Sequence, residues 1–364
     1  MTTSHDTFPQ QAGAAAGFLS ILIAPLLLAL SALLNSPFLL FGTVILIFPL
    51  LRLVFGIVQQ GPVREWRGSV ATALEILCLI YVAAIVGALI AVLARLSIPD
   101  LTPAAIIGWI LSLWMACIFA TCVSHELLHR RGKLNRIADH VLAGIAGYPI
   151  LGYEHGRHHR LPGNTAAAEW PRLDDSFWSF GLRRLRTLLP EALGSEGQLV
   201  RGDPRDPSVR GLRVATVTTL LTATAFTIAA GWRGLLIFVG VVILVAWSIQ
   251  LVTFMQHWGL GDDSCEDARA AAYAWENDCQ FQAWVTVSLS LHHSHHQQGT
   301  LPYYCVGLAP NSPRLPLGYV LLMFAAFVPP MWRRLMAPAL IHWKSHPMNP
   351  VSTGRRLMCV NLYK

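Results

Sequence analysis

Apolar residues run through this chain in long blocks. Stretches of the length that crosses a bilayer core, about 20 residues, fall near 17–34, 38–58, 70–94, 101–123, 212–230 and 234–256. A seventh apolar stretch, Leu315 to Met336, is interrupted by Pro316, Pro329 and Pro330 and ends on Arg333 and Arg334, so it reads as an interfacial or re-entrant piece. "RGDPRDPSVRG" at 201–211 reads as a surface loop leading back into the membrane. There is no internal repeat, and low complexity is confined to "QAGAAAG" near the start. The expected fold is all-α: a polytopic membrane protein forming one domain over residues 1–364, with about six transmembrane helices and a cytoplasmic histidine-rich cap made of 124–211 and 257–364.

Composition agrees with that pattern, since 54% of residues are hydrophobic and only 13% charged, outside the range of an ordinary globular surface. The N-terminus lacks a basic region ahead of its apolar run, so the first span is expected to be retained rather than cleaved. Seven cysteines show no C-x-x-C pairing, which argues against a disulfide framework, a zinc ribbon or a built-in rubredoxin-type centre. Any redox partner is then a separate chain. The net charge of +7 is no nucleic-acid signature, because the basic residues lie between apolar spans and not along one soluble face.

Those basic residues speak about orientation. Of 27 Lys and Arg, 13 lie between 124 and 211, and Arg64 and Arg67 follow the second span, whereas the turn "NSP" after the first has none. The positive-inside tendency places both termini, the 59–69 loop, 124–211 and everything after 257 in the cytoplasm.

Histidines gather on that side. "HELLH" offers His125 and His129; "EHGRHH" offers His155, His158 and His159; "LHHSHH" offers His292, His295 and His296; "QHWGL" adds His257. On a helix, positions i, i+3 and i+4 share a face, so each cluster is expected to aim its imidazoles at one point. His293 points about 100° away from His292 and is expected to face solvent or support a neighbour, not to be a ligand. An isolated histidine is most often an ordinary hydrogen-bonded side chain, but nine in spaced clusters at a membrane mouth point to a site. Zinc takes about four ligands, so one ion leaves half the set idle, and two first-row ions use them all. Paired E-x-x-H motifs of the soluble ferritin-like di-iron bundle are absent.

"HELLH" also matches the H-E-x-x-H signature of zinc proteases. That chemistry needs one further ligand and gives no reason for two H-x-x-H-H triplets, so a membrane zinc protease is a remote alternative. Glu126 and Glu154 are better cast as acceptors steadying histidine rings, and Gln256 beside His257 is placed with them. A non-enzymatic metal carrier ranks low, because transporters place ligands near the bilayer midplane.

At these motifs the chain resembles the integral-membrane non-haem di-iron oxygenases, which include alkane monooxygenases, xylene monooxygenases and fatty-acid desaturases. "SHELLHRRGKLNR", "TFMQHWGL" and "SLSLHHSHH" are similar to motifs of the alkane monooxygenase branch, as is the tail "LPLGYVLLMFAAFVPPMWRRLMAP". The middle box departs from that branch in being H-x-x-H-H, as in desaturases. Gln256 stands where the branch has glutamate, and Ser294 where it has aspartate. The resemblance implies two iron ions and O2 as co-substrate, with hydroxylation of an unactivated C–H bond in an alkane, alkyl or acyl chain. The alternative on the same centre is a lipid or fatty-acyl desaturase. It further implies a rubredoxin or ferredoxin with its reductase as electron carrier, and residence in a bacterial inner membrane. Arg-rich stretches at 130–136 and 183–186 suit docking of such a carrier, although topological retention accounts for them better. Trp109, Trp114, Met115 and Phe119 are open to two readings, substrate lining or ordinary helix packing.

Overall fold

The computed structural model describes residues 8–58, 66–261, 274–310 and 312–345. Both termini, Arg64, Cys265 and Cys359 lie outside the described residues. Among those described, the chain is helical, with two isolated β-bridges, Ile57 with Cys279 and Glu276 with Arg314.

Two apolar helices come first, α1 (Gln10–Leu33) and the shorter α2 (Leu39–Phe55). The latter passes through a π turn (Thr43–Ile47) ahead of Pro49, which has no N–H to donate. Then follow α3 (Gly68–Leu96) and α4 (Pro103–Leu128), and after the shorter α5 (Lys133–Ile145), α6 (Leu151–Arg160) and α7 (Phe177–Leu193) comes α8 (Pro207–His257). The chain ends in α9 (Gln280–Val285), α10 (His292–Gln297), α11 (Tyr319–Phe327) and α12 (Pro329–Ser345). Of these, α1, α3, α4 and α8 are long and apolar enough to cross a membrane. The expected stretch 315–336 is thus split between α11 and α12.

At 51 residues α8 would extend roughly 75 Å if straight, more than twice a bilayer core of about 30 Å. It does not. Backbone angles leave the helical region at Ala230 and at Gly231, whose φ of 59° suits glycine. Phe226 and Phe238 lie 5.7 Å apart, where a straight helix would separate them by about 18 Å. The chain therefore doubles back, with legs 207–229 and 232–257 matching the runs expected at 212–230 and 234–256. Gly234 permits the close return, since a Cβ there would sit 1.9 Å from the Phe226 carbonyl oxygen.

The centre of the bundle is α4. Its most apolar window is 72% buried, against 39% in each of the other three long helices, which leave Ile90, Leu221 and Ile228 exposed as a lipid-facing surface would require. Thr102 caps the start of α4 by accepting from Ala105 N at 3.1 Å, and Pro103 fits the first turn. Within the apolar layer, Ser112 accepts from Phe41 N at 3.2 Å and donates to Pro37 O at 2.6 Å, satisfying polar groups of the turn between α1 and α2. Ser124 donates to Asp139 Oδ1 at 2.5 Å, fixing α5 against α4. Both α4 and α8 finish in a histidine motif, and α6, α10, α11 and α12 close over that end of the bundle.

Candidate metal centre

His125 and His129 leave the last turn of α4 and its cap; His155, His158 and His159 lie on α6; His257 ends α8; His292, His295 and His296 lie on α10. Their nitrogens converge in two groups. One comprises His125, His129, His155, His159 and His295, the other His158, His257, His292 and His296, and within each group the donor atoms lie within 4.8 Å of one another. The rings face each other through Nε2, at 2.7 Å for His129 and His155, 3.1 Å for His159 and His295, 3.1 Å for His158 and His296, and 3.0 Å for His292 and His296.

The triplets do not each aim at one point as their spacing suggested. On α6 the i and i+4 histidines, His155 and His159, join the first group while the i+3 histidine, His158, joins the second; on α10 the division is reversed. Helical periodicity is the reason, since i+3 and i+4 stand about 100° apart on either side of i. H-x-x-H-H is therefore a bridging motif, and each triplet spans both groups.

This donor set fits a metal pair. His125 Nε2 is buried without a hydrogen-bond partner, an arrangement that costs free energy unless something accepts its lone pair. Burial, reinforced by neighbouring imidazoles or Arg184, holds His129, His155, His158, His292, His295 and His296 well below the ordinary imidazole range. Burial pushes His159 down to about 4. The rings are thus neutral at pH 7, the protonation state that donates to a metal.

The polar residues expected to steady these rings also tie helices together. Glu126 forms an ion pair with Arg130, Nε to Oε1 2.8 Å, and accepts from Tyr303 N at 3.3 Å. Arg130 goes on to the Thr300 and Leu301 carbonyls, tying the loop after α10 to α4. Glu154 accepts from Tyr148 Oη at 2.5 Å and from Gln250 Nε2 at 3.2 Å, and forms an ion pair with Arg184 Nη2 at 3.2 Å. Gln256 donates to Leu289 O at 3.1 Å and Tyr319 Oη at 2.9 Å. His293 is buried, not solvent-facing, and pairs with Gln297 Nε2 at 3.0 Å outside both groups.

Two neighbours of the site escaped sequence reasoning. Glu169 lies 3.8 Å from His158 Nδ1 and is held by Arg157 at 2.7 Å and Arg184 at 3.1 Å. Trp170 stacks on His257 with centroids 4.4 Å apart and planes at 24°. Both sit in a turn-rich stretch without periodicity, "AAAEWPR", so no spacing marks them.

A cavity of about 90 Å³ touches the histidines His125, His155, His158 and His292. A larger one, about 340 Å³, lies between α2, α4, α8 and α11 with a mainly apolar wall. Ile118, Ser248 and Val252 line both. Of the four side chains with two readings, Trp114, Met115 and Phe119 line the larger cavity, whereas Trp109 is fully buried packing.

Residues 100–309 match the family described as fatty acid desaturase. Alkane 1-monooxygenase 1 of Pseudomonas aeruginosa is 26% identical over 242 residues, 64% of this chain and 63% of that protein. Alkane 1-monooxygenase 2 of Alcanivorax borkumensis is likewise 26% identical, over 64% of this chain and 63% of its own. The xylene/toluene monooxygenase hydroxylase component of Pseudomonas putida is 25% identical over 253 residues, 68% of each chain. The chain thus spans just under two thirds of the length of these alkane monooxygenases.

Proposed function

The chain belongs to the fatty acid desaturase family, and from that membership we propose that it is a membrane oxygenase hydroxylating an unactivated C–H bond of a hydrophobic substrate at a di-iron centre. The observation that carries this reading is the meeting of nine histidine nitrogens in two adjacent groups beside an apolar cavity. The ligands are His125, His129, His155, His159 and His295 for one ion, and His158, His257, His292 and His296 for the other. When bound, two irons supply O2 reduction and oxidation of the C–H bond.

The protein's own part is positional. Neutral imidazoles present lone pairs, Trp170 fixes the plane of His257, and the Glu169 carboxylate faces Nδ1 of His158. An alkyl chain enters from lipid through the larger cavity and reaches the histidines past Ile118, Ser248 and Val252, between walls that exclude water. Trp114 Nε1 donates to Ser248 Oγ at 2.8 Å, so the hydroxyl at this neck is engaged and the passage stays apolar in character. Hydroxylation takes one O2, two electrons and two protons to alcohol and water. The electrons come from a separate small iron–sulfur or rubredoxin-type carrier on the cytoplasmic side of a bacterial inner membrane.

Desaturation of an acyl chain is the second reading, favoured by the H-x-x-H-H spacing of residues 155–159 and by the family's description. Membranes holding the protein, supplied with an alkane or an acyl substrate, carrier, reductant and ¹⁸O2, separate the two. An alcohol carrying ¹⁸O is the expected product; an alkene with the label only in water replaces hydroxylation by desaturation. Metal analysis of detergent-purified protein is expected to give two irons per chain, and a single zinc would overturn both.

A further inference from the structure

The six-residue helix α10 supplies nitrogens to both groups, yet it is too short to hold itself, since isolated helices below about 12 residues are marginal. Leu291, before its first turn, provides no side-chain cap. Its placement must come from contacts made by the rest of the chain. The carboxylate that reaches its first turn belongs to Glu276, whose side chain is wholly buried.

Glu276 Oε1 accepts from Ser294 N at 3.3 Å, inside the first turn of α10 and between the ligand pair His292 and His295. Oε2 accepts from Ala309 N at 3.1 Å, from Arg314 Nη1 at 2.8 Å and from Ser312 Oγ. Arg314 also grips Ser312 Oγ and the Ala309 carbonyl, closing the loop on itself. The backbone repeats the theme: Glu276 N donates to Pro313 O and Leu315 N to Glu276 O, both at 2.9 Å. On either side, Trp275 N donates to Gln256 O at 2.8 Å, next to His257, and Asn277 N to Ser290 O at 3.0 Å, just ahead of α10. One short segment thus ties the end of α8, the start of α10 and the 309–315 loop together. A buried carboxylate is costly to desolvate, and four donors converging on it offset that cost.

We propose that Glu276 is a positioning residue of the metal pair: its carboxylate clamps the first turn of α10 and so sets where His292, His295 and His296 present their nitrogens. This rests on the reading of those histidines as ligands. Glutamine does not replace it, because an amide has a single acceptor oxygen and its NH2 would face donors.

The test uses full-length, metal-free protein in detergent, titrated with Co(II) and followed by d–d absorption, with a thermal melt in parallel. Glu276→Gln is expected to weaken Co(II) binding by about 10- to 100-fold, the range for losing an outer partner of a metal ligand, and to alter the spectrum. Glu276→Asp, which keeps the charge, is expected to recover part of the affinity. Ser112→Ala serves as comparison, because it removes bonds that steady the turn at Pro37; it is expected to lower the melting temperature and leave Co(II) binding alone. A Glu276→Gln protein that behaves like Ser112→Ala overturns the proposal. Should Glu276→Gln fail to fold, Ser312→Ala, which deletes one donor, is expected to move affinity the same way by a smaller factor, and wild-type affinity there overturns the clamp. Wild-type protein that binds no pair of Co(II) ions refutes the metal-centre reading itself, a different outcome from loss of the clamp alone.

Discussion

His295 and His293 stand two residues apart on one short helix and have opposite fates, one inside a donor group and the other paired with Gln297. His295→Ala is therefore expected to lower iron content and to cut turnover by at least about 100-fold, while His293→Ala keeps both irons; metal analysis with an activity assay decides. Removing the carboxylate near His158 by Glu169→Gln is expected to weaken metal binding by about 10- to 100-fold, read in the same titration. Protons compete in a known direction. Burial lowers His159 and His293 to about 4, against about 6.5 in an unfolded chain. Between those values the unfolded chain binds more protons, so metal-free protein loses stability as pH falls from about 6.5 towards 4. Melts of chelated protein across that interval check the slope, and a flat profile contradicts it. The nine converging histidines were legible as residues, since their spacing and number gave them away. Glu169, Trp170 and Glu276 were not, because a carboxylate between two arginines, a stacked ring and a clamp from a distant segment leave no period in the chain.

Elements were legible where one apolar run makes one helix, as in α3 and α4. The run at 38–58 gave way to a 17-residue helix that changes pitch around Pro49, a local effect of a missing N–H. The fold-back of α8 was anticipated as two runs, and its device is visible only in coordinates: Gly231 turns the backbone and Gly234 lets Phe226 come close. Gly234→Ala would press a methyl to within 1.9 Å of a carbonyl oxygen. It is expected to destabilise the bundle by about 1–3 kcal/mol, measured by thermal melting in detergent, whereas Gly42→Ala, with nothing within 4 Å, leaves stability unchanged or raised. The division of each triplet between two groups is implicit in the numbers three and four, since a shared helical face does not by itself fix a shared target.

At the scale of the molecule, the central helix α4 carries both the wall of the apolar cavity and two of the converging histidines, so cavity and candidate metal centre are built on one rod. Val252, on the neighbouring leg of α8, belongs to the shared wall. Val252→Phe is expected to reduce turnover of long chains far more than iron content, since it narrows the neck without touching a nitrogen; equal loss of both would place the path elsewhere. The cavity itself was beyond sequence reasoning, which left Trp109, Trp114, Met115 and Phe119 undecided because packing and lining share one pattern. The straddling triplets carry a last implication for how the centre is assembled. With α6 and α10 each supplying nitrogens to both groups, emptying one group is expected to slacken the other. Stepwise chelation should then run as a single cooperative release, and a half-loaded protein should be scarce at every stage.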